Sequence, residues 1–534
     1  MALRTPRRLF HGLSPAPAHR PARAKNEGEA VLKRMFVAPD PGRVRLRSAV
    51  RAVLGIGLAV TVSGLAAQSV LAAVAGGLAA LLALFTVGDP TVRGQAVTTA
   101  LLPAAGLPVL AAACALHGHP LLRDAAFLAV VGAGVYARRW GPRGHALGIF
   151  AFMMFFMVQF LHATPDRLPE LCGAVTLGLL ASATVRFGLW CYERRMPPPA
   201  AVAPPGGRGL ARITTRQAVQ ATAACGFALA AGQVLSQDRW YWAVVSAWWI
   251  FVNTASRGDT LVRGFRRMLG TVTGIAVGLL VAVPLHGAPV PTVALVAVCV
   301  FGIFYAAAPS YSWMMFFVTV MAGLLYGLLG VLHPGLLAVR LEQTAVGALG
   351  AALAVALVLP VTTHAATHAW IERAVHCVRD CTAVAARRLA GDDRADPTPH
   401  VAELELLLAR VRLALVPLLH PLNPLRHRKA RARQVVAYLD ECAAQVRGLA
   451  EVAADPAASH DARLTAACQR VEAVVGTLFA PGATAMAALD GPAPAPAHHP
   501  GAERALAHLH HLESALTALA HPVRSSPRAP FAAS

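Results

Sequence analysis

Charge is what this sequence has least of. Asp, Glu, Lys and Arg make up 14% of its 534 residues, against about 25% in ordinary soluble proteins. Hydrophobic residues reach 56% and the mean hydropathy is +0.53. That balance excludes a conventional soluble chain of this length. Acidic residues are the scarcer sign, 27 against 48 basic ones, which leaves a net charge of +21. A basic excess can mark nucleic-acid binding. Here many of the Arg lie in loops between apolar runs, where they retain loops in the cytoplasm. No nucleic-acid partner is expected. Lys is nearly absent and Ala and Arg dominate, a genome-composition bias that carries no functional weight.

Cysteine is sparse and unpatterned. Nine are present; Cys114, Cys172, Cys225 and Cys299 fall inside apolar runs. No spacing matches a zinc site or a disulfide framework. Cys377 and Cys381 are four apart beside His376, but a metal needs more ligands at matched spacing, so they read as helix packing. His508, His510 and His511 do not share one helical face and read as solvated. There is no Walker loop, no paired CxxC and no Ser/His/Asp arrangement. No catalytic residue, metal or cofactor is expected, and the chain does not read as an enzyme. Residues 1–46 lack an apolar h-region and a cleavage site, which excludes a secretory signal. They read as a disordered cytoplasmic tail. Met35, followed by FVAPDPGRVRLRSAVRAVLG, is the more natural start; intact mass of the N-terminus checks it.

Long apolar runs begin at Val50. Helices are expected near 49–67, 70–87, 95–116, 124–138, 145–162 and 170–190. Val50 to Val87 is broken only by Gln68-Ser69, and is split there because a single helix would be about twice the bilayer thickness. Residues 193–212 form a Pro/Gly-rich linker with four Arg, too polar for lipid and unable to continue a helix. A second set follows near 216–235, 240–256, 267–285, 290–307, 312–331 and 338–360.

The chain is organised around a duplicated polar turn. Arg257-Gly-Asp-Thr-Leu-Val-Arg-Gly264 has its core repeated as Gly88-Asp-Pro-Thr-Val-Arg-Gly94, each copy between two apolar runs. Met153-Met-Phe-Phe156 recurs as Met314-Met-Phe-Phe317, Arg167-Leu168 with Glu170 as Arg340-Leu341-Glu342, and Arg47-Ser-Ala-Val50 as Arg216-Gln-Ala-Val219. Four landmarks in one order indicate a tandem duplication of a six-helix unit, residues 47–192 and 213–362. An even helix number makes the two units parallel, related by an axis along the membrane normal. Arg43, Arg45, Arg47, Arg51, Arg93, Arg138, Arg139, Arg143 and the linker fall on one side with the Arg257–Arg267 cluster. The other side has Arg123, Arg167, Arg239 and Arg340, each with an acidic neighbour. The first side is therefore cytoplasmic, as are both termini. Residues 363–525 are more charged and amphipathic, with helices near 364–390, 401–416, 428–453, 460–480 and 501–521; Val401, Leu404, Leu408, Val411 and Leu415 keep helical spacing. They read as a cytoplasmic helical domain, followed by a disordered tail over 526–534.

The segment WYWAVVSAWWIFVNTASRGDTLVRGFRRMLGT, with Arg216-Gln-Ala-Val-Gln-Ala before it, closely resembles the signature region of the fusaric-acid-resistance-like (FUSC) family, related to aromatic acid exporters. The resemblance is strong over 213–360, weaker over 43–192 and thin beyond. It implies an all-α membrane protein of two six-helix bundles with cytoplasmic helical regions, often a homo-oligomer. It also implies efflux of aromatic or other organic carboxylates across the inner or plasma membrane. The short linker departs from relatives with a large domain between the bundles.

On that reading Arg93, Arg263, Arg266 and Arg267 would collect a carboxylate through bidentate guanidinium contacts; the alternative is topology retention and headgroup contact. Asp89 and Asp259 stand four residues before Arg93 and Arg263, a spacing for ion pairs on a helix. With Glu170 and Glu342 they are also the available groups for ion coupling or gating. Trp240, Tyr241 and Trp242 are expected in an outer interfacial belt. Trp248 and Trp249 lie near mid-membrane, either packing between helices or stacking on an aromatic substrate. Gly270, Gly274 and Gly278 are spaced for close helix packing. Without a nucleotide site, transport runs on a gradient or is passive. Two other readings stay open: an organic-anion channel, and a non-transporting scaffold whose helical domain binds a partner.

Overall fold

In a computed structural model, the structure describes residues 40, 43–189, 209–252, 254, 256–285, 288–328, 330, 334–360, 363–392, 394–419, 426–453, 462–478 and 500–524. The expected N-terminal tail, Met35, most of the linker and the C-terminal tail lie outside these residues. Among the described residues no strand occurs, and the chain is an all-α membrane protein.

The first six helices are α1 (Val44–Ala67), α2 (Val70–Thr86), α3 (Val92–Ala115), α4 (Pro120–Tyr136), α5 (Gly141–Phe160) and α6 (Leu168–Gly188). The next six are α7 (Ile213–Leu235), α8 (Tyr241–Phe251), α9 (Arg257–Leu285), α10 (Pro289–Ala306), α11 (Tyr311–Leu328) and α12 (Pro334–Leu357). Among the described residues nine stretches are long and apolar enough to cross a membrane, with α4 and α5 forming one stretch and α2 and α8 shorter. The break at Gln68-Ser69 is built locally. Gln68 takes φ 52°, and the Ser69 hydroxyl accepts from the Ala72 amide, which starts α2 with a side-chain cap.

Both sets pair their helices in one order. In the first, α1, α2 and α6 pack on one another, and α5 packs on α3 and α4. In the second, α7, α8 and α12 pack together, and α11 packs on α9 and α10. The sets meet through corresponding pairs, α4 on α7 and α10 on α1. Both run antiparallel. Gln233 of α7 donates to Asp124 of α4 at 2.7 Å, and a Cβ on Gly132 would lie 2.9 Å from the Thr222 hydroxyl. Arg45 of α1 donates to the Tyr305 carbonyl of α10 at 3.1 Å. Close crossings rely on glycine. A Cβ on Gly178 of α6 would meet the Gly76 carbonyl of α2 at 2.2 Å, and one on Gly148 of α5 would meet that of Gly134 in α4 at 2.3 Å.

Two expectations about elements change. The second polar "turn" is helix: α9 begins at Arg257, with the Asp259 amide donating to the Ser256 hydroxyl. The preceding helix stops at Phe251, five residues earlier than expected. In the first copy Pro90 delays the helix to Val92, because the residue before a proline disfavours helical backbone. Arg340 also changes place. Its helix starts at Pro334, a favoured first-turn proline, so Arg340 lies six residues inside α12 and is buried. It is not in an outer loop.

Five more helices follow: α13 (Thr363–Leu389), α14 (Thr398–Leu419), α15 (Arg426–Ala453), α16 (Ala462–Leu478) and α17 (Pro500–Arg524). They share a separate core that includes Leu404, Leu408, Val411 and Leu415, while Val401 sits half-buried at its edge. His508 shares a 2.8 Å hydrogen bond with Gln445 and packs on Gly448. The Cys377 thiol donates to the His400 carbonyl at 3.5 Å. Helices α13 and α14 touch α9.

Candidate functional site

Helix α8 is the most enclosed element of the membrane part. It is walled by α7 and α12 and touches α5 and α9. Its eleven residues span roughly 16 Å, about half a bilayer core. Trp240, Tyr241 and Trp242 are 3%, 1% and 9% exposed, so they are not the expected interfacial belt. They pack inward on Phe127, Phe156 and Phe160 of the first set. Trp248 is buried and stacks on Phe152 with centroids 3.9 Å apart, so one face of its ring is taken by packing. Trp249 is half-buried and edge-on to Phe85.

Two arginines enter this aromatic seam. Arg267 of α9 and Arg340 of α12 are 6% and 4% exposed. Arg267 donates to the Ser246 hydroxyl at 3.1 Å, to the Met315 sulfur at 3.1 Å and to the Tyr311 hydroxyl at 3.4 Å. Its Nε has no partner. The Arg340 guanidinium lies 3.9 Å above the Trp242 ring, beside the Tyr326 hydroxyl, and its Nη1 has no partner. Ser246 and Trp242 are one helical turn apart on α8, so both guanidiniums stand against the same helix. Among the described residues no carboxylate pairs with either. Removing such an ion from water costs several kcal/mol even after relaxation. Hydroxyls, sulfur and a ring face soften that cost without neutralising two positive charges.

The other candidates are more dispersed. Arg263 is half-buried, donates to the Trp249 carbonyl at 3.3 Å and lies 4.0 Å from the Tyr311 ring centroid. Arg93 is exposed and Arg266 half-buried. In the first copy the expected pair does not form: among the described residues Asp89 and Arg93 make no ion pair, while Arg263 of the second copy contacts Trp249 and Tyr311. The reason in the first copy is that Asp89 precedes the helix instead of riding on it. Asp89 is buried with Oδ2 unpartnered, in a cleft with Trp140, Arg143 and Leu147; Asp259 is half-buried. Glu170 pairs with Arg167 at 3.2 Å, and Glu342 is exposed. Gly270 and Gly274 abut α11, whereas a Cβ on Gly278 would meet only Val320 Cα at 3.7 Å. Arg340 is the residue that sequence reading missed. An Arg within an apolar helix is a strong sign of function, and placing the helix start at 338 hid it.

A family model described as fusaric acid resistance protein-like matches residues 227–355. No curated protein and no solved structure matches the chain. The matched stretch contains α8, Arg263, Arg267 and Arg340. Through that stretch, this multi-pass membrane protein is similar to the fusaric acid resistance protein-like family.

Proposed function

We propose that the protein is a gradient-driven exporter of aromatic or other organic carboxylates, seated in the inner or plasma membrane with both termini in the cytoplasm. The observation that carries this reading is the buried pair Arg267 and Arg340, two guanidiniums with unpartnered N–H groups and, among the described residues, no carboxylate paired with either. A site that holds positive charge in a low-dielectric interior favours an anion that arrives and leaves. Two guanidiniums suit the two oxygens of a carboxylate, and the Trp242 ring supplies an apolar wall.

Coupling to a gradient needs a second ionisable group. Asp89, buried with one oxygen unpartnered, is the best placed of the four acidic candidates. An anion channel would use the same cationic site without it.

The test is efflux of a panel of labelled aromatic and aliphatic carboxylates from energised cells, with wild type beside stably expressed Arg267→Gln and Asp89→Asn. Uphill efflux that uncoupler and either substitution abolish is expected. Flux that only equilibrates, and survives Asp89→Asn, would convert the exporter into a channel. No flux of any acid would remove both.

A further inference from the structure

Four arginines accompany α8 along its length. Arg263 holds the Trp249 carbonyl near its C-terminal end. One turn along α9, Arg267 reaches Ser246 at its middle. Arg340 covers Trp242 in its first turn. Arg239, just before the helix, donates to the Tyr241 hydroxyl at 2.9 Å and faces the Tyr326 ring at 5.9 Å. Tyrosines stand between the steps: Tyr311 touches Arg263 and Arg267, and Tyr326 lies between Arg340 and Arg239. The outer two arginines are half-buried and the inner two buried. The first set carries nothing comparable at the same distance after its Asp-x-x-x-Arg motif, where Val97 takes the place of Arg267.

We propose that these four arginines are consecutive stations of one anion path along α8, entered at Arg263, centred on Arg267 and Arg340, and left at Arg239. This rests on the transport reading above and adds its route. The spacing supports it. The contacts of the first three, Trp249, Ser246 and Trp242, step three and four residues along α8, about one helical turn or 5.4 Å each, while Arg239 reaches Tyr241, next to Trp242, so a carboxylate can meet the next guanidinium before it releases the last. Unpartnered N–H groups on both Arg267 and Arg340 leave the empty centre with donors for an anion. Because α8 is short, four steps suffice. Arg239 has an acidic neighbour in Asp238, which competes for the last station and favours release.

The experiment uses the full chain in vesicles with benzoate as probe, offered from either face, and the variants Arg263→Gln, Arg267→Gln, Arg340→Gln, Arg340→Lys and Arg239→Gln. Arg267→Gln and Arg340→Gln should each lower the maximal rate about tenfold or more, the scale of one lost charge-assisted contact. Arg340→Lys should restore part of it. Arg263→Gln should raise the half-saturating benzoate concentration on one face, and Arg239→Gln on the opposite face. Wild-type flux that is unchanged in both central variants overturns the path while leaving transport standing. Equal effects of the terminal variants on both faces overturn their order. If wild type carries no benzoate, the transport reading fails for this probe, and tryptophan fluorescence decides the site separately. Quenching by benzoate that Arg340→Gln abolishes supports the central station; the same response in both proteins overturns it.

Discussion

A single buried guanidinium behaves differently according to what the helix beside it offers. Arg186 is buried but spends its donors on the carbonyls of Val87 and Ala83, at 3.0 and 2.8 Å, and so ties α6 to the end of α2. Arg138, half-buried in the turn after α4, likewise donates to Gln217 and to the Phe251 carbonyl. These are clamps. Arg340 has Nη1 without a partner and an aromatic face beneath it, which makes it a cost to folding. A buried, uncompensated charge costs the fold several kcal/mol, and an apolar residue of similar length removes that cost. Arg340→Met is therefore expected to raise the unfolding midpoint in detergent while abolishing anion transport. Arg186→Met should lower the midpoint by about 3 kcal/mol or more, because it strands two carbonyls and releases a helix end. A drop for Arg340→Met equal to that for Arg186→Met would mean that Arg340 is another clamp.

Among the elements, the pair α9 and α11 shows which part of a small-residue stripe is used. A Cβ on Gly270 would come within 2.5 Å of the Ser312 carbonyl, and one on Gly274 within 2.7 Å of Thr319 Cβ. Gly278 has room for a methyl group. Gly274→Leu is expected to force the helices apart and cost about 1–3 kcal/mol, read as a lower midpoint and lost transport, since α9 carries Arg263 and Arg267. Gly278→Ala should be neutral or gain up to about 1 kcal/mol from helix propensity. Equal losses at both positions would show that the stripe packs along its whole length. Much of this was legible in the sequence. The apolar runs locate the membrane helices because each must satisfy its backbone within itself, and Gln68-Ser69 marks a real break. Boundaries were less legible. Arg257 to Gly264 is polar enough to read as a loop, yet Ser256 caps it into helix. Trp240 to Trp242 read as a belt because aromatic residues near a helix end commonly face the headgroups. Only the packing of α5 against α8 shows them turned inward, and no local pattern encodes which neighbour a helix will meet.

At the scale of the whole molecule, the two helix sets are not independent bodies. They meet at α4 with α7 and at α10 with α1, and Phe152, Phe156 and Phe160 of the first set press on the aromatic residues of α8 in the second. The same pairing order in both sets is what a duplication would leave behind, and it gives the first set a role that its own residues do not otherwise suggest. It has no arginine at the Arg267 position, but it supplies the wall that keeps α8 dry. A dry α8 is what makes its neighbouring arginines expensive to leave empty, so on the proposed reading anion affinity in the second set would depend on packing from the first. In a background without native cysteines, Gly132→Cys with Thr222→Cys places two thiols at the α4–α7 contact, where a Cβ on Gly132 lies 2.9 Å from the Thr222 side chain. Oxidation should join the sets within one chain. After protease cleavage between them, the fragments should migrate together on a denaturing gel until reduced, and the cross-linked protein should still transport. Cross-linking that appears only between two chains would assign the contact to an oligomer, and the dry seam around α8 would then need a second copy to close it.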